Sequence, residues 1–166
     1  MVLAARKHFA GKQGLTGIEI GTAKGDNAVS ILQELPLERL YLIDPYSPFE
    51  DALGHGDYSD EYPIAYSKLA EYQQVRWLKK TSESARGDFQ DKEMVDFIYI
   101  DGNHSYESVK ADLASYFPLV RNNGLLGGHD YTPFYESVMR AVQEFANQSK
   151  LELHVVFPDW WFIVKR

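Results

Sequence analysis

No cysteine occurs in the 166 residues, which excludes disulfides, thiolate metal ligands and a cysteine nucleophile. Basic residues are scarce: 17 Lys and Arg stand against 24 Asp and Glu, a formal charge of −7. Such a surface offers no counter-charge to a nucleic-acid backbone or an anionic membrane, so neither is expected as a partner. Long apolar runs are missing too. No stretch approaches the roughly 20 residues that span a bilayer, and the opening "MVLAARKHFAGKQG" lacks the apolar length and cleavage site of a signal peptide. A cytoplasmic location is the resulting expectation. Hydrophobic residues make up 45% of the chain, enough for one domain over 1–166 with a real core.

The apolar residues that are present fall into short blocks. "LTGIEIG" (15–21), "RLYLID" (39–44), "VRWLK" (75–79), "VDFIYID" (95–101) and "GLLGG" (124–128) are nearly continuous in apolar or β-branched residues, as buried parallel strands are. Helical patterns lie between them. Val109, Leu113, Tyr116 and Phe117 share one helical face, and Phe134, Val138, Ala141, Val142 and Phe145 share another. Thr132 followed by Pro133 predicts the cap and first turn of the second helix. Alternating strands and helices predict a doubly wound α/β sheet. "LELHVVF" and "WWFIVKR" are separated only by Pro158 and Asp159, too short a link for a parallel crossover, so they close the sheet as an antiparallel hairpin. Residues 46–62 show no regular pattern; their aromatics Tyr46, Phe49, His55, Tyr58 and Tyr62 suit either a lid that orders on binding or an acidic surface loop.

In such a sheet a ligand binds at the carboxyl ends of the strands, where strand order reverses. "GIEIGTAKGDN" (17–27) is the turn placed there. Gly21 and Gly25, with Thr22 between them, let backbone approach a ligand closely, but the dinucleotide fingerprint G-x-G-x-x-G is not met. Glu19 argues further against a phosphate: at about 4 Å and an effective dielectric of 20, two unit charges interact by about 4 kcal/mol. That energy opposes a pyrophosphate and favours the ammonium and sulfonium of S-adenosylmethionine. The alternative for Glu19 is a carboxylate paired with Lys24. Asp44 ends the second strand, where an acid accepts ribose hydroxyls in many nucleotide sites; facing water is its plainer reading. Asn27, at the start of the first helix after the loop, is placed to hold a cofactor carboxylate at the helix N-terminus.

Asp101 and Asp130 follow two further strands. Neighbouring strands lie about 4.8 Å apart, so both carboxylates can reach one point. Together they call for a divalent cation or a shared proton. Oxygen donors suit Mg²⁺, or Mn²⁺ if a histidine joins; hydrogen bonds to loop amides are the competing use.

"EIGTAKG", "YLIDPY", "VDFIYIDGNHSYESVKADL" and "GLLGGHDY", in this order, resemble the class I S-adenosylmethionine-dependent methyltransferases. The likeness is to methyltransferase domain family 24, similar to catechol-type and macrocin-type O-methyltransferases. The resemblance implies a Rossmann-like, mostly parallel seven-stranded sheet ending in an antiparallel hairpin. It also implies methyl transfer to a small-molecule or sugar hydroxyl with metal assistance. In metal-dependent relatives the positions matching Asp101 and Asp130 bind the ion. The asparagine that usually follows the second is Tyr131 here, so water, His129 or a remote acid would complete the set. Where catechol-type enzymes carry a lysine base this chain has His104, with an intrinsic pKa near 6.5 suited to taking the hydroxyl proton; packing or capping the following helix is the alternative. Asp101 also lies where it can touch the cofactor. The resemblance places a small polar residue against adenine, here Ser82, with Thr81 and Glu83 beside it. Relatives carry extra N-terminal helices that cover the acceptor and form dimers; this chain has about 14 residues before its first strand, so a homodimer is an expectation only. Two rival functions follow: a non-catalytic S-adenosylmethionine-binding domain, and an NAD(P)-dependent oxidoreductase.

Overall fold

The apolar blocks form strands, and the polar-patterned segments between them form helices. The computed structural model describes residues 1–51, 54–89 and 94–166. In chain order these are α1 (Val2–His8), β1 (Leu15–Ile20), α2 (Asp26–Glu34), β2 (Leu37–Ile43), β3 (Phe49–Asp51), β4 (Gly54–Gly56), α3 (Tyr62–Leu69) and β5 (Val75–Leu78). There follow α4 (Ser82–Ala85), β6 (Val95–Ile100), α5 (Tyr106–Tyr116), β7 (Val120–Gly128), α6 (Glu136–Ser149), β8 (His154–Val156) and β9 (Asp159–Ile163).

The main sheet has seven strands in the order β5-β2-β1-β6-β7-β9-β8. β1 pairs parallel with β2 and β6, while β9 runs antiparallel to both β7 and β8. This is the doubly wound sheet with a terminal hairpin that the sequence predicts. Side-chain alternation along the strands divides the core in two. Ile18, Ile20, Ile98, Ile100 and Leu126 face α5 and α6, where Val109, Leu113, Val138 and Val142 meet them. Leu15, Leu40, Leu42, Phe97 and Tyr99 face the other way, against α1 and α2. Strand order reverses between β1 and β6, so their carboxyl ends open a crevice.

Four local expectations change. Phe134 does not join the α6 face; it is 83% exposed. Thr132 caps a short 3₁₀ turn (Pro133–Tyr135) by accepting from Phe134 N at 3.0 Å, and the α-helix begins only at Glu136. β7 reaches back to Val120, four residues before the apolar run. The strand expected over 151–157 shortens to His154–Val156, because Phe157 and Pro158 form the hairpin turn. The opening residues fold as α1, whose Ala5 is buried against α2.

The 46–62 segment carries a small antiparallel pair, β3 with β4; residues 52–53 and the side chains of Phe49 and His55 lie outside the described residues. Its ends are fastened rather than loose. Tyr46 packs on Tyr62 at 5.0 Å and Tyr62 on Trp77 at 5.4 Å, while Tyr58 stays exposed at the crevice. Among the described residues no helix is long and apolar enough to cross a membrane.

Candidate active site

The first turn owes its shape to Gly21. Its φ of +84° favours glycine, and a Cβ there would sit 2.0 Å from the carbonyl oxygen of Asp101. Gly21 N donates to Ile43 O at 2.9 Å, and Asp101 N donates to Ile20 O at 2.7 Å, so the turn is drawn down between β2 and β6. Gly25, with φ +78°, is the left-handed N-cap of α2. Asp44 braces this loop from the next strand. Its Oδ2 accepts from Thr22 N at 2.9 Å and Ala23 N at 3.0 Å, and its Oδ1 accepts from Tyr46 N at 2.8 Å. It therefore does not simply face water. It lines the crevice, and Oδ1, which accepts only one of these bonds, keeps a lone pair for a ligand hydroxyl.

Glu19 lies beneath the loop, 1% exposed. Its Oε1 accepts from Asn27 Nδ2 at 2.7 Å, which ties Asn27 to Glu19 rather than leaving it free at the helix N-terminus. Lys24 is not its partner; that ammonium lies 3.5 Å from Glu61. Burial, helped by the charges of Asp101 and Asp44, pushes the Glu19 carboxyl up to about 8. Without a ligand Glu19 is therefore largely protonated at neutral pH. The Thr22 side chain, also buried, is the other hydrogen-bonding neighbour of the Glu19 carboxyl.

The second cluster sits at the ends of β6 and β7, whose register pairs Ile100 with Gly128. That pairing brings Asp101 beside His129 and Asp130. His104 Nε2 is 2.8 Å from Asp130 Oδ2 and 4.0 Å from Asp101 Oδ1. His129 Nδ1 is 3.1 Å from Asp130 Oδ1 and 3.8 Å from Asp101 Oδ1. Among the described residues, donor atoms of Asp101, His104 and Asp130 all lie within 4.8 Å of one another. The histidine grouped with both carboxylates is thus His104, where the resemblance suggests His129; His129 itself lies slightly nearer to Asp101 and farther from Asp130. His104 is not the helix cap either: Ser105 caps α5 by accepting from Ser108 N. Its ring packs on Tyr135 at 4.3 Å and its carbonyl accepts from Ser137 Oγ at 2.6 Å. Tyr131, in the usual asparagine's place, turns away to Gln143.

Burial works to raise the Asp130 carboxyl, but hydrogen bonds from His104 and His129 outweigh it and hold Asp130 well below the usual carboxylate range. Burial raises Asp101. His129 is raised by its hydrogen bond to Asp130. The indole of Trp160, fully buried in the hairpin, donates to His129 O at 2.9 Å and fixes that loop.

Both clusters wall one cavity of about 1160 Å³. Its far end runs between α4 and α5. Ser82 lies there, while Thr81 caps α4 by accepting from Ser84 N at 3.2 Å. The Ser82 carbonyl accepts from Tyr116 OH at 2.7 Å. Here the structure adds a residue the sequence reading missed. Asp112, 6% exposed, is hydrogen-bonded to the Ser82 side chain and lines the same end. The signal was present: positions 109, 112, 113 and 116 form one helical stripe, and only 112 breaks its apolar character.

A family model described as a methyltransferase domain matches residues 18–131, from β1 to the residue after Asp130. No curated protein matches the chain. Several solved structures share the fold. The O-methyltransferase NovP is 17% identical with a TM-score of 0.72, over 99% of this chain and 78% of that one. CalS11, a TDP-rhamnose 3'-O-methyltransferase, is 13% identical with a TM-score of 0.70, over 98% and 77%. The O-methyltransferase from Bacillus cereus, in complex with SAH, is 15% identical with a TM-score of 0.68, over 99% and 78%. At such identities the likeness speaks for the fold.

Proposed function

The chain belongs to the methyltransferase domain family and is an S-adenosylmethionine-dependent methyltransferase, and from that premise we propose that it methylates a small-molecule hydroxyl with a divalent cation held by Asp101, His104 and Asp130. Family membership sets aside the dinucleotide oxidoreductase. The O-methyltransferase names of NovP, CalS11 and the Bacillus cereus protein support an oxygen acceptor, and CalS11 supports a sugar among the candidates.

The cavity suits the cofactor. Asp44 stands where it accepts ribose hydroxyls, and the turn at Gly21 lets backbone approach the amino-acid portion. Thr22 lines the cavity there and the buried Glu19 carboxyl lies beneath it, an acid whose sign suits the ammonium. Bound there, the cofactor supplies an electrophilic methyl group, and a cation supplies a Lewis acid that lowers the pKa of a hydroxyl. Two carboxylates and one imidazole suit Mn²⁺ better than Mg²⁺, which prefers oxygen donors alone.

The remaining work falls to the chain's own groups. Asp130 receives His129 Nδ1–H, which leaves His129 Nε2 as the acceptor for the hydroxyl proton. His129 is also the more open of the two imidazoles, 36% exposed against 14% for His104. The sequence reading gave the base to His104 and a ligand position to His129; the geometry favours the exchange. Asp101, raised by burial, needs a cation to be charged beside Asp130.

The observation that carries this reading is the convergence of Asp101, His104 and Asp130. Titration with Mn²⁺ and Mg²⁺ tests it, alongside methyl transfer to a panel of catechols and sugars. His104→Ala should abolish Mn²⁺ binding and cut turnover at least about 100-fold while S-adenosylhomocysteine still binds. His129→Ala should keep Mn²⁺ and lose turnover. Unchanged Mn²⁺ affinity in His104→Ala would refute the ligand set.

A further inference from the structure

The strand ends lay out the cavity in order. Ser82 follows β5, Asp44 ends β2, the glycine turn ends β1, and Asp101 and Asp130 follow β6 and β7. With the ribose at Asp44 and the amino-acid portion over the glycine turn, the base of a nucleoside cofactor reaches the α4–α5 end. Along α5, Ser108, Ala111, Asp112 and Ser115 face this end. They share one helical stripe at spacings of three and four. Three of the four are small and leave room for a flat ring. The fourth is a buried acid.

A buried carboxyl needs a reason, because burying charge without a compensating partner is costly. The partner the structure gives Asp112 is the hydroxyl of Ser82, and burial pushes its carboxyl up to about 6. At neutral pH it is mostly ionised and purely a hydrogen-bond acceptor. Arg86 lines the same cavity, where its Nε donates to Ser115 O at 2.6 Å and its Nη1 to Phe89 O at 3.1 Å.

We infer that Asp112 is the residue that reads the cofactor's base: its carboxylate accepts from the exocyclic amine of adenine, and the Ser82 hydroxyl holds it in place. The site thereby selects adenine over hypoxanthine. Hypoxanthine offers a carbonyl oxygen where adenine offers an amine, and a carboxylate facing that oxygen is left without a donor. The inference rests on the reading of the cavity as an S-adenosylmethionine site and goes beyond it by naming the group that sets base specificity.

Calorimetry on the full chain at pH 7.5 tests it, with S-adenosylhomocysteine and its deaminated analogue S-inosylhomocysteine. The parent protein should prefer the adenine compound at least about tenfold, the usual consequence of leaving a buried polar group unpaired. Asp112→Asn, which can donate to the hypoxanthine oxygen, should erase or invert that preference. Equal affinity of the parent protein for the two compounds would overturn the inference with no variant required. So would a folded Asp112→Asn that keeps the parent's ratio. In either case the S-adenosylmethionine reading would survive, because the adenine compound still binds. If neither compound binds the parent protein, that reading falls and this inference with it.

Discussion

At the scale of single residues, the charge of Glu19 depends on what lies above it. Its position at the end of β1, just before the glycine turn, puts an acid beneath the crevice, yet burial holds it largely protonated near neutral pH, with a carboxyl pushed up to about 8. A phosphate would leave it protonated and gain nothing from it. A cation in the crevice would draw the proton off, because an opposite charge within a few ångströms favours the ionised form. Binding of S-adenosylmethionine at pH 7 should therefore release close to about one proton on account of this group. Calorimetry in buffers of different ionisation enthalpy measures it directly. Glu19→Gln should remove that release and weaken binding about tenfold or more. Equal proton counts in parent and variant would mean that the guest leaves Glu19 unionised, and the argument for a cationic ligand at this turn would fail.

At the scale of elements, the contact between the turn after β1 and the end of β6 is the joint on which the crevice depends. Gly21 with φ +84° allows it, with the Asp101 carbonyl 2.0 Å from where a Cβ would be. Gly21→Ala combines a left-handed alanine with a backbone clash and should cost at least about 2 kcal/mol. For a chain of this size that lowers the melting temperature by about 4 °C or more. The turn can give way only by moving from Asp101, so cofactor binding should be lost as well; a variant that melts and binds like the parent would show that the joint is soft. This joint was only half legible in the sequence. The parallel strands were readable because both faces are covered and their apolar runs are continuous. The reach of the glycine turn to Asp101 was not, since no pattern in either segment encodes their separation. Phe134 was misplaced because helical spacing says nothing about where a helix starts, and the 3₁₀ turn capped by Thr132 delays α6 by three residues, from Pro133 to Glu136. The distances of His104 and His129 from the two carboxylates were hidden for a similar reason: both stand within three residues of an aspartate, and only the register of β6 on β7 sets them. Asp112 was readable in principle, as the one acid in an apolar stripe.

At the scale of the whole molecule, these buried acids make stability depend on pH in a definite direction. Glu19 is raised to about 8 and Asp112 to about 6, Asp101 is raised by burial, and His129 is raised by its bond to Asp130. For each of these groups the folded state holds its proton more tightly than the unfolded chain does. Their contributions are complete below the unfolded pKa values, about 4 for the carboxyls and about 6.5 for the imidazole. They are lost as pH rises through the folded values. Asp130 has the opposite sign: its contribution is present above about 4 and is lost in stronger acid. The net charge of −7 adds self-repulsion that also grows with pH. The ligand-free protein should therefore be most stable in mild acid, between about pH 4 and 6, and should weaken steadily toward pH 8.5. Urea denaturation across that range measures the slope, and Glu19→Gln should flatten its upper part. A saturating sulfonium ligand should flatten it too, because it supplies the charge that the crevice lacks and binds the folded state alone. A ligand-free protein that instead gained stability from pH 5 to pH 8 would mean that these carboxyls are ionised and already paired in the folded state, and the crevice would have no charge left to offer a cation.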